Sequence, residues 1–223
     1  MATSKGQRIG IWVIAVVLTV GTVGGFLTMV LAQQNTAGDN ARLAQLESQY
    51  QKDYAAYQEK VEAQSAQLSE KYYPEFSQYA SRAGTFDGSN VSELGKEDLK
   101  EGTGKTVEAG KTFVAYYIGW TADGKVFDQS LDGEKLKAPI TVENGTGVIS
   151  GWTEGVVGMK EGGVRELTIP AKLAYGEEAT EGSELSGKPL KFVIMVIEQP
   201  EKLTQPTMPK ELMEKYYGQQ QLQ

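Results

Sequence analysis

Val148-Ile149-Ser150-Gly151-Trp152 is the stretch around which this 223-residue chain folds. Two aliphatic residues run into a serine and a glycine, and an indole follows at once. Residues 153–159 continue in a way that sets Trp152 and Val156 four apart, on one face of a helix. The pattern predicts a strand end, a tight turn at Gly151 and a short helix opened by Trp152. Tryptophan combines a large apolar body with a single N–H donor. At the mouth of a short helix within a β-rich segment it either fills a core or floors a pocket, and its neighbours decide which.

Those neighbours are β in texture from residue 94 onward. Strands are expected at 112–120, 126–130, 140–142, 164–170 and 190–198. Asp123-Gly124, Asp132-Gly133, Asn144-Gly145 and Gly162-Gly163 supply the turns between them. Only one short helix, near 152–159, interrupts this series, and no βαβ repeat is present. The expected class is α+β, an antiparallel sheet wrapped over one short helix.

The first ninety residues read differently. Residues 9–32 carry no charge, follow Lys5 and Arg8, and reach about 36 Å as a helix, enough to cross a hydrocarbon core of roughly 30 Å. The basic residues before this run place the N-terminus in the cytoplasm and the remainder outside. A cleaved signal peptide ending at Val30-Leu31-Ala32 is the competing reading, but signal h-regions span only about 7–15 residues. Residues 41–72 then place Leu43, Leu46, Tyr50, Tyr57, Val61, Leu68 and Tyr72 at helical spacings opposite a polar face. This amphipathic helix is a stalk that lies on the soluble domain or pairs with a second copy. Pro74 is expected to end it or to start a second short helix. The expected organisation is an anchor at 1–32, a helical stalk at 33–84, a folded domain at 85–200 and a C-terminal tail at 201–223. In the tail, Pro200, Pro206 and Pro209 mark an irregular exit, 210–217 forms one or two helical turns, and the Gln-rich end frays.

Composition removes most enzyme chemistries. The chain has no Cys and no His, so thiol nucleophiles, zinc–cysteine sites and every triad that needs an imidazole are excluded. No metal or other cofactor is expected. The formal net charge of −7 disfavours a nucleic-acid partner, because phosphate binding needs a basic face. Gly104-Lys105-Thr106 and Gly110-Lys111-Thr112 end like phosphate loops, but Leu99 and Lys105 stand where the first glycine is required. Gly145, Gly147 and Gly151 miss the dinucleotide spacing by one. Asn90-Val91-Ser92 and Asn144-Gly145-Thr146 match glycosylation acceptors, a pattern that also arises by chance.

Tyr116-Tyr117-Ile118-Gly119, Phe127-Asp128, Val148 to Trp152, Ile169-Pro170 with Tyr175-Gly176, and Pro189-Leu190-Lys191-Phe192 follow one another within residues 98–198, and in that order they resemble the FKBP-type peptidyl-prolyl isomerase domain. Tyr116-Tyr117-Ile118-Gly119 is similar to the family's first long strand. The run from Asp123 through Phe127-Asp128 to Ser130 resembles its turn and Phe-Asp pair. Val148 to Trp152, with Glu154-Gly155 and Met159, resembles its central strand and helix. Ile169-Pro170 with Tyr175-Gly176, and Pro189-Leu190-Lys191-Phe192, complete the series. The resemblance implies a pocket of Tyr117, Phe127, Asp128, Val148, Ile149, Trp152, Tyr175 and Phe192. Ile140 and Val142 take the places of two family aromatics when one residue is deleted near Gly145. The family's flap carries an Ile-Pro-Pro run. Here Glu184-Leu185-Ser186-Gly187 stands there, without either proline, and Leu185 is the candidate aliphatic contact.

The absence of histidine is no obstacle to the activity this implies. Rotating an X–Pro bond moves no proton, and its barrier is about 18–20 kcal/mol. The planar imide separates charge and is stabilised by water, whereas the twisted form is less polar. An apolar pocket that strips water therefore favours the twisted form. By resemblance, Trp152 is the floor and Phe127, Tyr117 and Phe192 are walls. The Ile149 N–H and the Tyr175 hydroxyl hold carbonyls, while Asp128 fixes Tyr117 or the twisted carbonyl electrostatically. The catalytic candidates are thus Asp128, Tyr175, Tyr117 and Trp152, and the substrate-binding candidates are Phe127, Val148, Ile149, Phe192, Val142 and Leu185. Glu177, Glu178, Glu181 and Glu184 form a solvated loop, or an acidic lip favouring basic residues near proline. The expected function is isomerisation of X–Pro bonds in exported proteins from the outer face of a cell membrane. A proline-binding chaperone or tether without turnover is the alternative.

Overall fold

The computed structural model describes residues 37–178 and 183–218. The uncharged run at 9–32 therefore lies outside the described residues. Among the described residues, no helix is long and apolar enough to cross a membrane.

Helix α1 (Ala37–Phe76) extends the expected amphipathic helix at both ends. Pro74 lies inside it, so the expected break there does not occur. A proline so near the C-terminus forfeits one backbone bond. That loss is offset by Phe76, which is fully buried with its ring centroid 6.1 Å from that of Tyr116. A 3-10 turn at Ser77–Arg82 follows.

The sheet comprises β1 (Gly95–Lys100), β2 (Phe113–Thr121), β3 (Val126–Gln129), β6 (Ile140–Val142), β7 (Val164–Ile169) and β8 (Leu190–Ile197). Its order is β1-β7-β8-β2-β3, with β6 also on β2, and every pairing is antiparallel. A separate hairpin pairs β4 (Leu131–Asp132) with β5 (Lys135–Leu136). Strand β1 was not anticipated. Its sequence, Gly-Lys-Glu-Asp-Leu-Lys, has little of the β-branched and aromatic character that marks strands. Its charges suit an exposed sheet edge.

Alternation along β2 and β8 sorts side chains to two faces. Val114, Tyr116, Ile118 and Trp120 join Val193, Met195 and Ile197 in one buried cluster, against which Leu68 and Tyr72 of α1 pack. The Leu136 N–H donates to Ser69 Oγ at 2.8 Å, binding the helix to the β4–β5 hairpin. Within this cluster the Tyr116 hydroxyl and the Trp120 Nε1 are buried with no hydrogen-bond partner among the described residues. Phe113 and Ala115 join Leu167, Ile169, Ile194 and Val196 in the other cluster.

On that second face sits helix α2 (Ser150–Gly155), the expected short helix begun two residues earlier. A Cβ at Gly151 would lie 2.3 Å from Ile169 Cγ2, and one at Gly155 would lie 2.4 Å from Leu167 Cδ1. Two glycines four apart thus seat the helix backbone directly on β7. Its C-terminal end is held by cations. Arg165 Nη1 donates to the carbonyls of Gly155 (2.8 Å) and Val157 (3.2 Å), and Lys96 Nζ donates to that of Glu154 (2.7 Å). Asp98 orients the Arg165 guanidinium through two bonds of 2.7 and 3.0 Å. This arrangement satisfies terminal carbonyls and opposes the negative end of the helix dipole.

By packing, Ser65–Glu201 forms one compact unit. The last turns of α1 therefore belong with the sheet. The other unit comprises α1 up to Gln64 and residues 202–218. There the tail ends in helix α3 (Lys210–Tyr217), where one or two turns were expected. Arg42 pairs with Glu211 at 3.0 Å, Tyr216 donates its hydroxyl to Glu47 at 2.7 Å, and Leu212 is buried. Residues 219–223, expected to fray, lie outside the described residues.

Candidate active site

Three aromatic rings meet at Phe192 on β8. Its ring stands edge-on to Phe127 of β3 (centroids 5.5 Å, 85°) and to Trp152 of α2 (5.3 Å, 87°). Tyr117 of β2 closes the group, 5.1 Å from Trp152 at 76°. These T-shaped contacts are the favoured geometry for ring quadrupoles. The gap that lets Phe127 and Phe192 meet is Gly119, where a Cβ would lie 2.5 Å from Phe192 Cε1 and 2.8 Å from Phe127 Cζ.

Asp128 is paired with Gly119 across the β2–β3 ladder. Its carboxylate reaches diagonally to Tyr117, whose hydroxyl donates to Oδ2 at 2.5 Å. The other oxygen, Oδ1, accepts the Gln129 N–H at 2.8 Å. Both oxygens are thus fixed by donors. Burial, then the bond to Asp128, pushes the Tyr117 phenol well above its ordinary value, so it is a donor throughout the physiological range.

Tyr175 follows the 3-10 turn Ala171–Leu173, and the Gly176 N–H closes that turn on the Ala171 carbonyl at 3.0 Å. Its phenol is also raised, first by partial burial and then by the Asp128 charge. Tyr175 nonetheless keeps 43% of its surface exposed. Trp152 keeps only 3% and Phe192 4%. The floor expected to lie open is therefore largely covered by the edges of its own walls. The accessible rim is formed by Tyr175 with the half-buried Tyr117, Phe127, Asp128, Val148 and Ile149. Among the described residues the Ile149 N–H has no hydrogen-bond partner, while its carbonyl begins α2 by accepting the Trp152 N–H at 2.9 Å.

The remaining candidates divide. Val142 is buried beneath the site in the same cluster as Trp152, and Ile140 packs half-buried beside it. Val142 presents no surface of its own. Leu185 is likewise buried in that cluster, so the flap without prolines is anchored by an inward leucine. Glu184 beside it pairs with Lys125 at 3.2 Å. Glu177 and Glu178 are exposed, and Glu181 lies outside the described residues. Gly119, Ser130 and Arg165 were not read as site determinants. A glycine in the middle of a strand was the available signal, since it marks a close approach. The other two act through bonds that only the register brings together.

A site of aromatic walls around a carboxylate whose two oxygens are already held by donors, in a chain without His or Cys, suits rotation about a bond better than cleavage of one. Comparison with known proteins gives the class its name. Residues 103–197 match the model of the FKBP-type peptidyl-prolyl cis-trans isomerases. An FK506-binding protein of Neisseria meningitidis serogroup B is 48% identical over 87 residues, covering 39% of this chain and 77% of that protein. An FK506-binding protein of Streptomyces anulatus is 41% identical over 109 residues, covering 48% and 86%. A solved structure titled "Crystal structure of AtFKBP13" aligns at 36% identity over 49% of this chain and 95% of that one, with a TM-score of 0.42. The chain belongs to the FKBP family and is a peptidyl-prolyl cis-trans isomerase. Domains of this family bind proline-containing peptides.

Proposed function

We propose that this isomerase acts on X–Pro bonds of exported polypeptides while held at a membrane by residues 9–32, using the rim around Tyr117 and Asp128. The carrying observation is the Tyr117–Asp128 hydrogen bond inside a cluster of aromatic edges, beside an Ile149 N–H with no partner among the described residues. A proline ring settles against Trp152 and Phe192 after a small displacement of the half-buried Phe127, while Tyr117 stays held by Asp128. The Ile149 N–H and the Tyr175 hydroxyl receive the flanking carbonyls. With water displaced, the planar imide loses hydration that the twisted imide needs less, and the barrier falls. Asp128 acts as an oriented charge and hydrogen-bond acceptor, since this reaction gives a base no proton to remove.

The membrane and export parts of the proposal rest on the uncharged run at 9–32 and on the basic residues that precede it. Protease-coupled proline isomerisation by the full-length protein tests the site. Asp128→Ala and Tyr175→Phe are expected to lose most of the turnover, and rates equal to wild type would refute the assignment. Fractionation of expressing cells tests the anchor. Full-length chain released by alkaline carbonate would remove it.

A further inference from the structure

We propose that Ser130 is a positioning residue for Tyr117, the tyrosine placed above in the site; this inference rests on that reading. Opposed residues in an antiparallel ladder exchange two backbone bonds when they form a hydrogen-bonded pair. Ile118 faces Gln129 and Gly119 faces Asp128, so Tyr117 is opposed by Ser130, just beyond the end of β3. One of the two bonds is present, from the Ser130 N–H to the Tyr117 carbonyl at 2.8 Å. The other cannot form, because the Ser130 carbonyl has turned away to accept the Lys137 N–H at 2.9 Å, where the chain returns from the β4–β5 hairpin. The Ser130 Oγ takes the missing carbonyl's place and accepts the Tyr117 N–H at 2.9 Å.

Two residues of one short segment thus hold Tyr117 at both ends. Asp128 holds the phenol and Ser130 holds the backbone. Ser130 is buried, so water cannot easily substitute for its hydroxyl. Without that oxygen the Tyr117 N–H is left unpaired, and an unpaired buried donor is relieved by moving the strand. Such a shift is transmitted to a phenol whose bond to Asp128 is short and directional. A hydroxyl is needed here because it accepts at the distance a carbonyl would, while leaving the real carbonyl free for the hairpin.

The test is a double-mutant cycle in the full-length protein, read by kcat/KM in proline isomerisation and by amide exchange at Tyr117. Ser130→Ala is expected to lower kcat/KM about tenfold and to speed exchange of the Tyr117 amide. In a Tyr117→Phe background, where the phenol no longer needs placing, the same substitution is expected to cost less than about twofold, because coupled residues are non-additive. Ser130→Thr, which keeps the acceptor, is expected to restore slow exchange and most of the activity. Equal losses in the two backgrounds, or unchanged Tyr117 exchange in Ser130→Ala, would overturn the proposal. A silent Tyr117→Phe with accelerated exchange in Ser130→Ala would keep the positioning and refute the site reading. Should Ser130→Ala not fold, Ser130→Cys gives the same cycle with a thiol that accepts weakly.

Discussion

Gly119→Ala is the smallest change that should take the site apart. The new Cβ would lie 2.5 Å from Phe192 Cε1, 2.9 Å from Phe192 Cδ1 and 2.8 Å from Phe127 Cζ. Carbon atoms rest about 3.5–4.0 Å apart, so Phe192 must retreat by about 1 Å. It has nowhere to go, being 4% exposed and edge-on to Trp152, itself 3% exposed. Phe127 is half-buried and can swing outward, at the cost of its T-shaped contact with Phe192. Overpacking of this kind costs about 1–3 kcal/mol, and loss of one aromatic pair adds about 0.5–1.5 kcal/mol. The expected result is a stability loss of about 2–3 kcal/mol, read from the urea midpoint at unchanged m-value. Displacing a wall by about 1 Å should also lower kcat/KM on the order of a hundredfold. A destabilised variant with wild-type kcat/KM, measured well below its melting range, would show that the Phe127–Phe192 wall does not touch substrate. A variant with unaltered midpoint would show that the rings are not packed as described.

Three further substitutions probe the supports. Arg165→Met keeps much of the volume but leaves the Gly155 and Val157 carbonyls without their donor. The expected loss is about 1–3 kcal/mol, read from the urea midpoint, and an unchanged midpoint would remove Arg165 as the brace of α2. Arg165 also holds the Asp98 carboxyl below its ordinary value, so this pair stabilises the fold above the unfolded carboxyl pKa of about 3.9 and ceases to do so as pH falls through the lower folded value. Wild type should therefore lose stability below about pH 4 more steeply than Asp98→Asn, and parallel acid titrations of the two would refute this. Tyr116→Phe removes a buried hydroxyl without a partner among the described residues, and the urea midpoint should stay level or rise by up to about 1 kcal/mol. A clear fall would mean that the hydroxyl is bonded after all.

The sheet was legible because its strands alternate and its turns carry glycine. Val126–Gln129, Ile140–Val142 and Leu190–Ile197 came within a residue of expectation. Gly95–Lys100 was not, because an edge strand made of Lys, Glu and Asp has the composition of a loop. Pro74 misled for a related reason. A proline's cost is local and fixed, whereas the burial of Phe76 that outweighs it comes from a strand forty residues away. The tyrosine-bearing stripe of α1 could not tell by itself whether it faced its own sheet or another chain, since both are apolar surfaces. The sheet claims Leu68 and Tyr72.

The site was legible to a different depth. Its residue types were visible in order along the chain, and the acid after Phe127 marked a cleft because a carboxylate is costly in a closed core. What the sequence withheld was how that acid is held. Asp128 reaches Tyr117 along a diagonal of the β2–β3 ladder, and the Tyr117 N–H is taken by a side-chain oxygen on a residue past the strand's end. Neither bond has a composition signature, because each depends on a pairing between segments eleven or thirteen residues apart. A chain without histidine or cysteine has few ways to lower a barrier near neutral pH, and displacing water from an imide is one that asks only for shape. Shape is set here by an absence, the missing Cβ of Gly119, and by the two donors that fix one carboxylate. An enzyme built this way should be more sensitive to an added methyl group at residue 119 than to any conservative change among its exposed acids.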